Sequence, residues 1–316
     1  MSPLAAASRM SAVARAGARL VAVGPRGHVL LSDDGGKNWR QVAVPLSSDL
    51  VAVAFPTAKQ GWAVGHDGVV LHSADGGQSW VKQLDGKRAA EIAVAYYQKL
   101  PVAAEATKWQ DEAKRLLDEG SDKPFLDVLF VDENEGYVVG AFNLAMRTRD
   151  GGKTWEPLLD RTANEQGLHL YALARAGGEL FLVGEQGLLR RWERKQDRFV
   201  ALNAPYHGSF FGILGRDENL IAFGMRGNVV RSADGGQNWH AVRSNASDGI
   251  TAGTILDDGR FVLLTQGGQV VLSKDGGESF SEVKPHQRMP YFGAAPIAGG
   301  AIAVVGAAGV AVENLD

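Results

Sequence analysis

One motif of roughly forty residues is written seven times along this 316-residue chain. Aligned on a residue that closes an apolar run, the first copy reads VAVGPRGHVLLSDDGGKNW, Val21 to Trp39, and the second WAVGHDGVVLHSADGGQSW, Trp62 to Trp80. The others start at Tyr137, Phe181, Ile221, Val262 and Ala303. The anchors are Gly24, Gly65, Gly140, Gly184, Gly224, Thr265 and Gly306, spaced 41, 75, 44, 40, 41 and 41 residues apart. Each unit contains about four short apolar runs punctuated by Gly or Asp. Such a period with short strands is that of a propeller blade, not of a helical solenoid. The expected fold is therefore all-β: one domain over 1–316, a seven-bladed β-propeller of four-stranded antiparallel blades. The interval of 75 holds one repeat plus an insertion, 85–123, between blades 2 and 3.

Turn chemistry supports this reading. The second-to-third-strand turn is G-x-x-G in five of seven units, where Gly supplies the positive φ of a tight hairpin. The third-to-fourth-strand turn is S/T-x-D-G-G-x-x-W/F at Ser32–Trp39, Ser73–Trp80, Thr148–Trp155, Ser232–Trp239 and Ser273–Phe280. Its Ser and Asp side chains can bond backbone N–H groups, and its aromatic can pack between sheets. The fourth unit has WERKQDRF there instead. The seventh ends before its outer strand, leaving an edge that must be covered. The segment Met1–Ser8 is expected to supply that strand and close the ring.

The insertion has a helical period. Val102, Ala106, Trp109, Ala113 and Leu116 form one row, with a shorter first helix within Arg88 to Leu100. Two readings stand side by side: the hairpin docks a partner, or its Trp109 row packs back onto the blades.

The bulk numbers exclude several classes. A net charge of −3 gives no electrostatic footprint for nucleic acid. No Cys means no disulfide and no thiolate chemistry. No run of 18 apolar residues is present, so no helical membrane span is expected. Met-Ser-Pro directly ahead of structured sequence has the look of a chain whose leader was removed. The composition itself does not choose between periplasm and cytoplasm.

The S/T-x-D-G-G-x-x-W/F turn is the Asp-box, or BNR, repeat. Together with GWAVG…DGGQSW it resembles the photosystem II stability/assembly factor family and its non-photosynthetic bacterial relatives, over nearly the whole chain outside the insertion. The resemblance implies a seven-bladed, non-enzymatic propeller that assists assembly of membrane protein complexes, with no cofactor. It also implies an exported, periplasmic protein whose partner is an integral membrane protein or a transporter complex, of the resistance-nodulation-division type.

Blade topology puts all Asp-boxes on one face, where their regularity argues for a structural role. Irregular loops on the opposite face of a rigid scaffold are the place for recognition. The candidate partner-binding residues there are Arg26, His66, Asp67, Phe142, Asn143, Glu185, Gln186, Arg226 and Gln266 at the hairpin tips. His169, Tyr206, His207 and Phe210 come from the inter-blade loops, and Trp109 from the insertion. Such a mix of aromatic and polar groups suits protein recognition. Two alternatives remain at this stage: a sialidase-like glycan-binding or glycoside-hydrolysing propeller, and a small-ligand binder in the central channel. The first needs an arginine cluster and a Tyr nucleophile with a Glu base, and no F/Y-R-I-P segment occurs. No G-x-S-x-G, H-E-x-x-H or EF-hand spacing occurs either. His66, His169 and His207 share the loop face and could converge on the central channel, but ordinary hydrogen-bonded histidines are the expectation, so no metal or catalytic residue is assigned.

Overall fold

A computed structural model describes residues 4–101 and 104–315. Seven antiparallel sheets follow one another along the chain, each with its strands in sequence order. Their first strands are Ala12–Ala16, Leu50–Ala54, Phe125–Phe130, Leu170–Ala176, Phe210–Arg216, Ile250–Ile255 and Tyr291–Pro296. Each of these touches the first strand of the next sheet, and the last touches the first. They form the inner ring of a closed seven-bladed propeller.

Burial grades outward from the second strands. Gly61–Gly65 in blade 2 is buried at every position, because neighbouring blades cover both its faces. Its Trp62 has no exposed surface and stacks on Phe130 of blade 3 at 3.5 Å between centroids. The indole N–H donates to Gln83 Oε1 at 3.0 Å, so this aromatic is buried without an orphaned donor. Outer strands such as Val81–Leu84 are largely exposed.

The anchor glycines answer to close approach. Gly65 has an extended φ, and a Cβ there would lie 2.0 Å from the Asp49 carbonyl oxygen. Positive φ falls two and three residues later, on Asp67 (59°) and Gly68 (61°). The hairpin thus demands left-handed backbone from a non-Gly residue as well as from Gly.

The Asp-box is one hydrogen-bonded unit. In blade 1, Ser32 Oγ donates to Asp34 Oδ1 (2.9 Å) and accepts from Gly36 N. Asp34 also accepts from the N–H and side-chain amide of Asn38, and Trp39 Nε1 donates to the Gly36 carbonyl. Asp75, Asp150, Asp234 and Asp275 are held in the same way. The Asn38 and Asn238 donors bring Asp34 and Asp234 down to about 2. Around Asp275 partial desolvation is outweighed by the Ser279 donors, again giving about 2; the same balance lowers Asp75 and Asp150. A depressed folded-state pKa stabilises above the unfolded value and is lost as pH falls through the folded one. Stability should therefore drop between pH about 4 and about 2, and Asp275→Asn should blunt the drop. Thermal melts across that range check it; a profile flat to pH 2 would contradict it.

Three sequence expectations meet the structure here. The insertion forms two helices, α1 (Gly86–Tyr97) and α2 (Ala104–Glu119). Asp85 caps α1 by accepting from Arg88 N at 3.0 Å. The row Ala106, Trp109, Ala113 and Leu116 is buried, so it packs back onto the protein; Val102 lies outside the described residues. The outer edge of blade 7 differs from expectation. That sheet has three strands among the described residues, and Ala5–Ala7 lies beside its last strand, Gly309–Glu313, as a 3-10 turn. A Cβ on Gly309 would sit 2.0 Å from the Ala6 carbonyl, so the N-terminal segment does cover the edge, without pairing as a strand there. Met1–Pro3 of the expected strand lies outside the described residues.

Blade 4 compensates for its missing Asp-box. Asp197 of its substitute turn, at φ 50°, accepts from Arg147 Nη1 at 2.7 Å and Arg161 Nη1 at 2.8 Å, both arriving from blade 3. The same two arginines share Glu156, each at 2.8 Å. Arg161 also approaches the Tyr96 hydroxyl, and Tyr97 donates to Asp160 at 2.7 Å. One ionic network thereby joins blade 3, blade 4 and the helical insertion.

Candidate partner-binding face

The loop end of the ring owes its shape to a repeated bulge. Just inside the first strand, blades 2 to 7 each skip one residue of pairing. The skipped residues are Val51, Leu126, Tyr171, Phe211, Thr251 and Phe292, all half-buried. A bulge of this kind re-aims a side chain. Here it places a circle of six side chains at the loop end of the innermost strands. Tyr171 and Phe211 meet edge-to-face at 5.8 Å.

An aromatic row runs outward from that pair. His169 packs against Tyr171 at 6.1 Å, and Phe142 meets His169 at 4.5 Å and 89°. Phe142 sits at the hairpin tip of blade 3 with φ 51° and half its surface (51%) exposed. Its neighbour Asn143 is also left-handed, at φ 65°. Blades 1, 2, 4 and 5 place X-Gly at those two positions; blade 3 carries two residues with side chains. Phe142 shares its left-handed φ with Arg26, Asp67, Gln186 and Arg226 at the same position, so this tip is set apart by its exposed ring and by Asn143 where those blades have Gly.

His169 holds this tip. Its Nδ1 accepts from Phe142 N at 2.9 Å, which requires that nitrogen to be unprotonated. The backbone N–H of His169 donates to Glu185 Oε2 at 2.7 Å. In the channel wall nearby, desolvation pushes Asp127 up to about 7, although it accepts from Leu173 N and Val128 N.

The predicted residues divide. Arg26, His66, Asp67, Gln186, His207, Arg226 and Gln266 are exposed on the loops, with His169, Glu185 and Tyr206 half-buried among them. Phe142, His169 and Glu185 come together, and Tyr206 donates to the carbonyl of the exposed Met225 at 3.2 Å. Three residues are corrected to interior roles. Phe210 has no exposed surface, and Trp109 packs near Tyr97 at 8% exposure. Asn143, at 4%, accepts from Thr162 and Asn164 and donates to the Leu159 carbonyl, fixing the following loop. Tyr171 and Phe211 were missed. Their signal was positional: each follows the large buried residue that starts the first strand of its repeat. Among the described residues no group of three or more His, Asp or Glu side chains is arranged to hold a metal ion.

Comparison with known proteins agrees with the repeat pattern. A profile for the family described as photosynthesis system II assembly factor YCF48 matches residues 12–96 and 103–292. A photosystem II assembly lipoprotein Ycf48 from Synechococcus sp. (strain CC9902) is 26% identical over 171 residues, covering 52% of this chain and 50% of the relative. The chloroplastic photosystem II stability/assembly factor HCF136 of Arabidopsis thaliana is 23% identical over 194 residues, 52% of this chain and 46% of the relative. The chain thus aligns with about half the length of these curated relatives. A solved structure, YCF48 bound to D1 peptide, superposes with a TM-score of 0.68 at 18% identity, covering 98% of this chain and 94% of that one. YCF48 from Cyanidioschyzon merolae gives 0.68 at 19%, covering 99% and 97%. At these identities the superpositions show the fold.

Proposed function

Because the chain belongs to the photosynthesis system II assembly factor YCF48 family, we propose that it is a non-catalytic, exported assembly or accessory factor that takes a segment of an integral membrane protein on the loop face of blades 3 to 5. The observation that carries this reading is the aromatic row Phe142–His169–Tyr171–Phe211, ending in an exposed phenylalanine. Exposed aromatics on a rigid frame are the side chains that dominate protein interfaces. Relatives support the class of partner and the compartment: one solved structure is of YCF48 bound to a D1 peptide, and several relatives are assembly lipoproteins. No helix among the described residues is long and apolar enough to cross a membrane. The partner complex, a transporter included, is for capture to identify. The glycan-active and channel-ligand readings gain no supporting cluster on this face.

The test is site-specific photo-cross-linking against detergent-solubilised membranes. Benzoylphenylalanine in place of Met225, on the loop face, should capture a membrane protein. The same group in place of Gln78, on an Asp-box, should not. The reverse pattern would remove the loop face from the account.

A further inference from the structure

Three arginines occupy one register position on the third strands of successive blades. Arg147 pairs with Tyr137, Arg191 with Phe181 and Arg231 with Ile221. Two of them reach the turn of the next blade: Arg147 bonds Asp197, and Arg231 Nε donates to the Gly276 carbonyl at 2.7 Å. Between blades 1 and 2 and between blades 2 and 3 other side chains do the same work. Arg19 donates to the Gly76 carbonyl at 3.1 Å, and Gln83 to the Gly151 carbonyl at 2.8 Å. Between blades 4 and 5 the latch is unmade. Among the described residues the Arg191 guanidinium makes no hydrogen bond or ion pair, and the equivalent Gly235 carbonyl accepts none.

Both groups line a single cleft of about 490 Å³ on the Asp-box face. Its wall also carries Lys195, Glu179 and Glu218, whose charged groups make no ion pair or hydrogen bond. The cleft lies where blade 4 lacks the Gly-Gly turn, with Asp197 committed to the other side by Arg147 and Arg161. The molecule's own repeats act as the control. The same donor position and the same acceptor are joined at the seam of blades 5 and 6 and stand apart at this one.

We infer that this cleft binds a short zwitterionic peptide. Arg191 and Lys195 take its carboxylate, as a planar guanidinium fork with an adjacent ammonium does. The Gly235 carbonyl, with Glu179 and Glu218, takes its ammonium and N–H groups. Since the site is on the face opposite the aromatic row, its failure would leave the partner-binding proposal untouched.

The test is a titration of the ¹⁵N-labelled full chain with triglycine, followed by amide chemical shifts. Saturable shifts are expected at Gly177, Arg194, Lys195 and Gly235, and none at Gly276, whose carbonyl is occupied. Arg191→Gln should weaken binding at least about tenfold, the scale of one charged hydrogen bond. Its melting temperature should match the wild type, since Arg191 has no bond to lose. N-acetyl-triglycine amide, without either charge, should bind more weakly still. Absence of saturable shifts with triglycine would overturn the inference. So would an Arg191→Gln variant that titrates like the wild type, or equal binding of the blocked peptide.

Discussion

Phe142→Gly should make the protein no less stable, and by up to about 1 kcal/mol more stable, while weakening capture of its membrane partner about thirtyfold or more. The two effects have separate causes. Gly adopts φ 51° without the steric cost that Phe bears there, and Gly-for-Phe relief is partly offset by greater freedom of the unfolded chain. The ring is half exposed, so little packing is lost beyond its edge contact with His169 and the approach of Lys123 Nζ to its face at 5.9 Å. An aromatic hot spot is worth about 2 kcal/mol or more at an interface, which is the thirtyfold. Chemical denaturation and quantitative capture on immobilised variants give the two numbers. A variant clearly less stable and still fully competent to bind would mean that Phe142 serves the fold.

Arg147→Met should cost about 3 kcal/mol, the largest single loss expected outside the apolar core. Arg147 is 2% exposed and bonds both Glu156 and Asp197. Removing the cation strands two carboxylates that are otherwise paired, and breaking one partner of a buried pair costs more than the pair is worth. Asp197 is half exposed, which keeps the figure at the lower end of the usual range. Arg149→Ala is the control. That residue also approaches Asp197, at 3.5 Å, but is 64% exposed, and its loss should cost less than about 0.5 kcal/mol. Urea denaturation compares the two. The network also ties in the insertion through Arg161, Tyr96 and Tyr97, so hydrogen exchange in α1 should quicken in Arg147→Met. Equal stability losses in the two variants would show that this network does not hold blade 4.

The repeat made the ring legible because each blade obeys the same local rules. Alternating apolar runs, the Gly anchors and five Asp-boxes all point to one architecture, and such agreement across levels is what specifies a fold. The row of the second inserted helix was legible for the same reason, although its period alone did not decide which way Trp109 would face. Departures from the repeat were harder to read. Nothing local in WERKQDRF says that Asp197 will be gripped by Arg147, fifty residues earlier in the chain. The N-terminal segment was expected as a strand because an edge needed cover; a 3-10 turn against Gly309 supplies that cover with less chain. At the loop face, hairpin-tip residues were readable from the anchors, and exposure sorted them only in three dimensions. Asn143 and Phe210 looked like tip and loop residues in sequence, yet one is the hub of a buried amide network and the other fills the space between blades. Tyr171 and Phe211 were hidden because alternation within a strand gives no sign of a bulge.

The central claim is that a membrane protein segment is received on the loop face at blades 3 to 5, and the position of the cross-link tests it most directly. With benzoylphenylalanine at position 225, ultraviolet irradiation in solubilised membranes should yield one dominant adduct, identified as an integral membrane protein by mass spectrometry. That adduct should fade when Phe142→Gly is added to the same chain, and position 78 should give none. Adducts of equal yield from positions 225 and 78, or an adduct at 225 that persists undiminished in Phe142→Gly, would contradict the account.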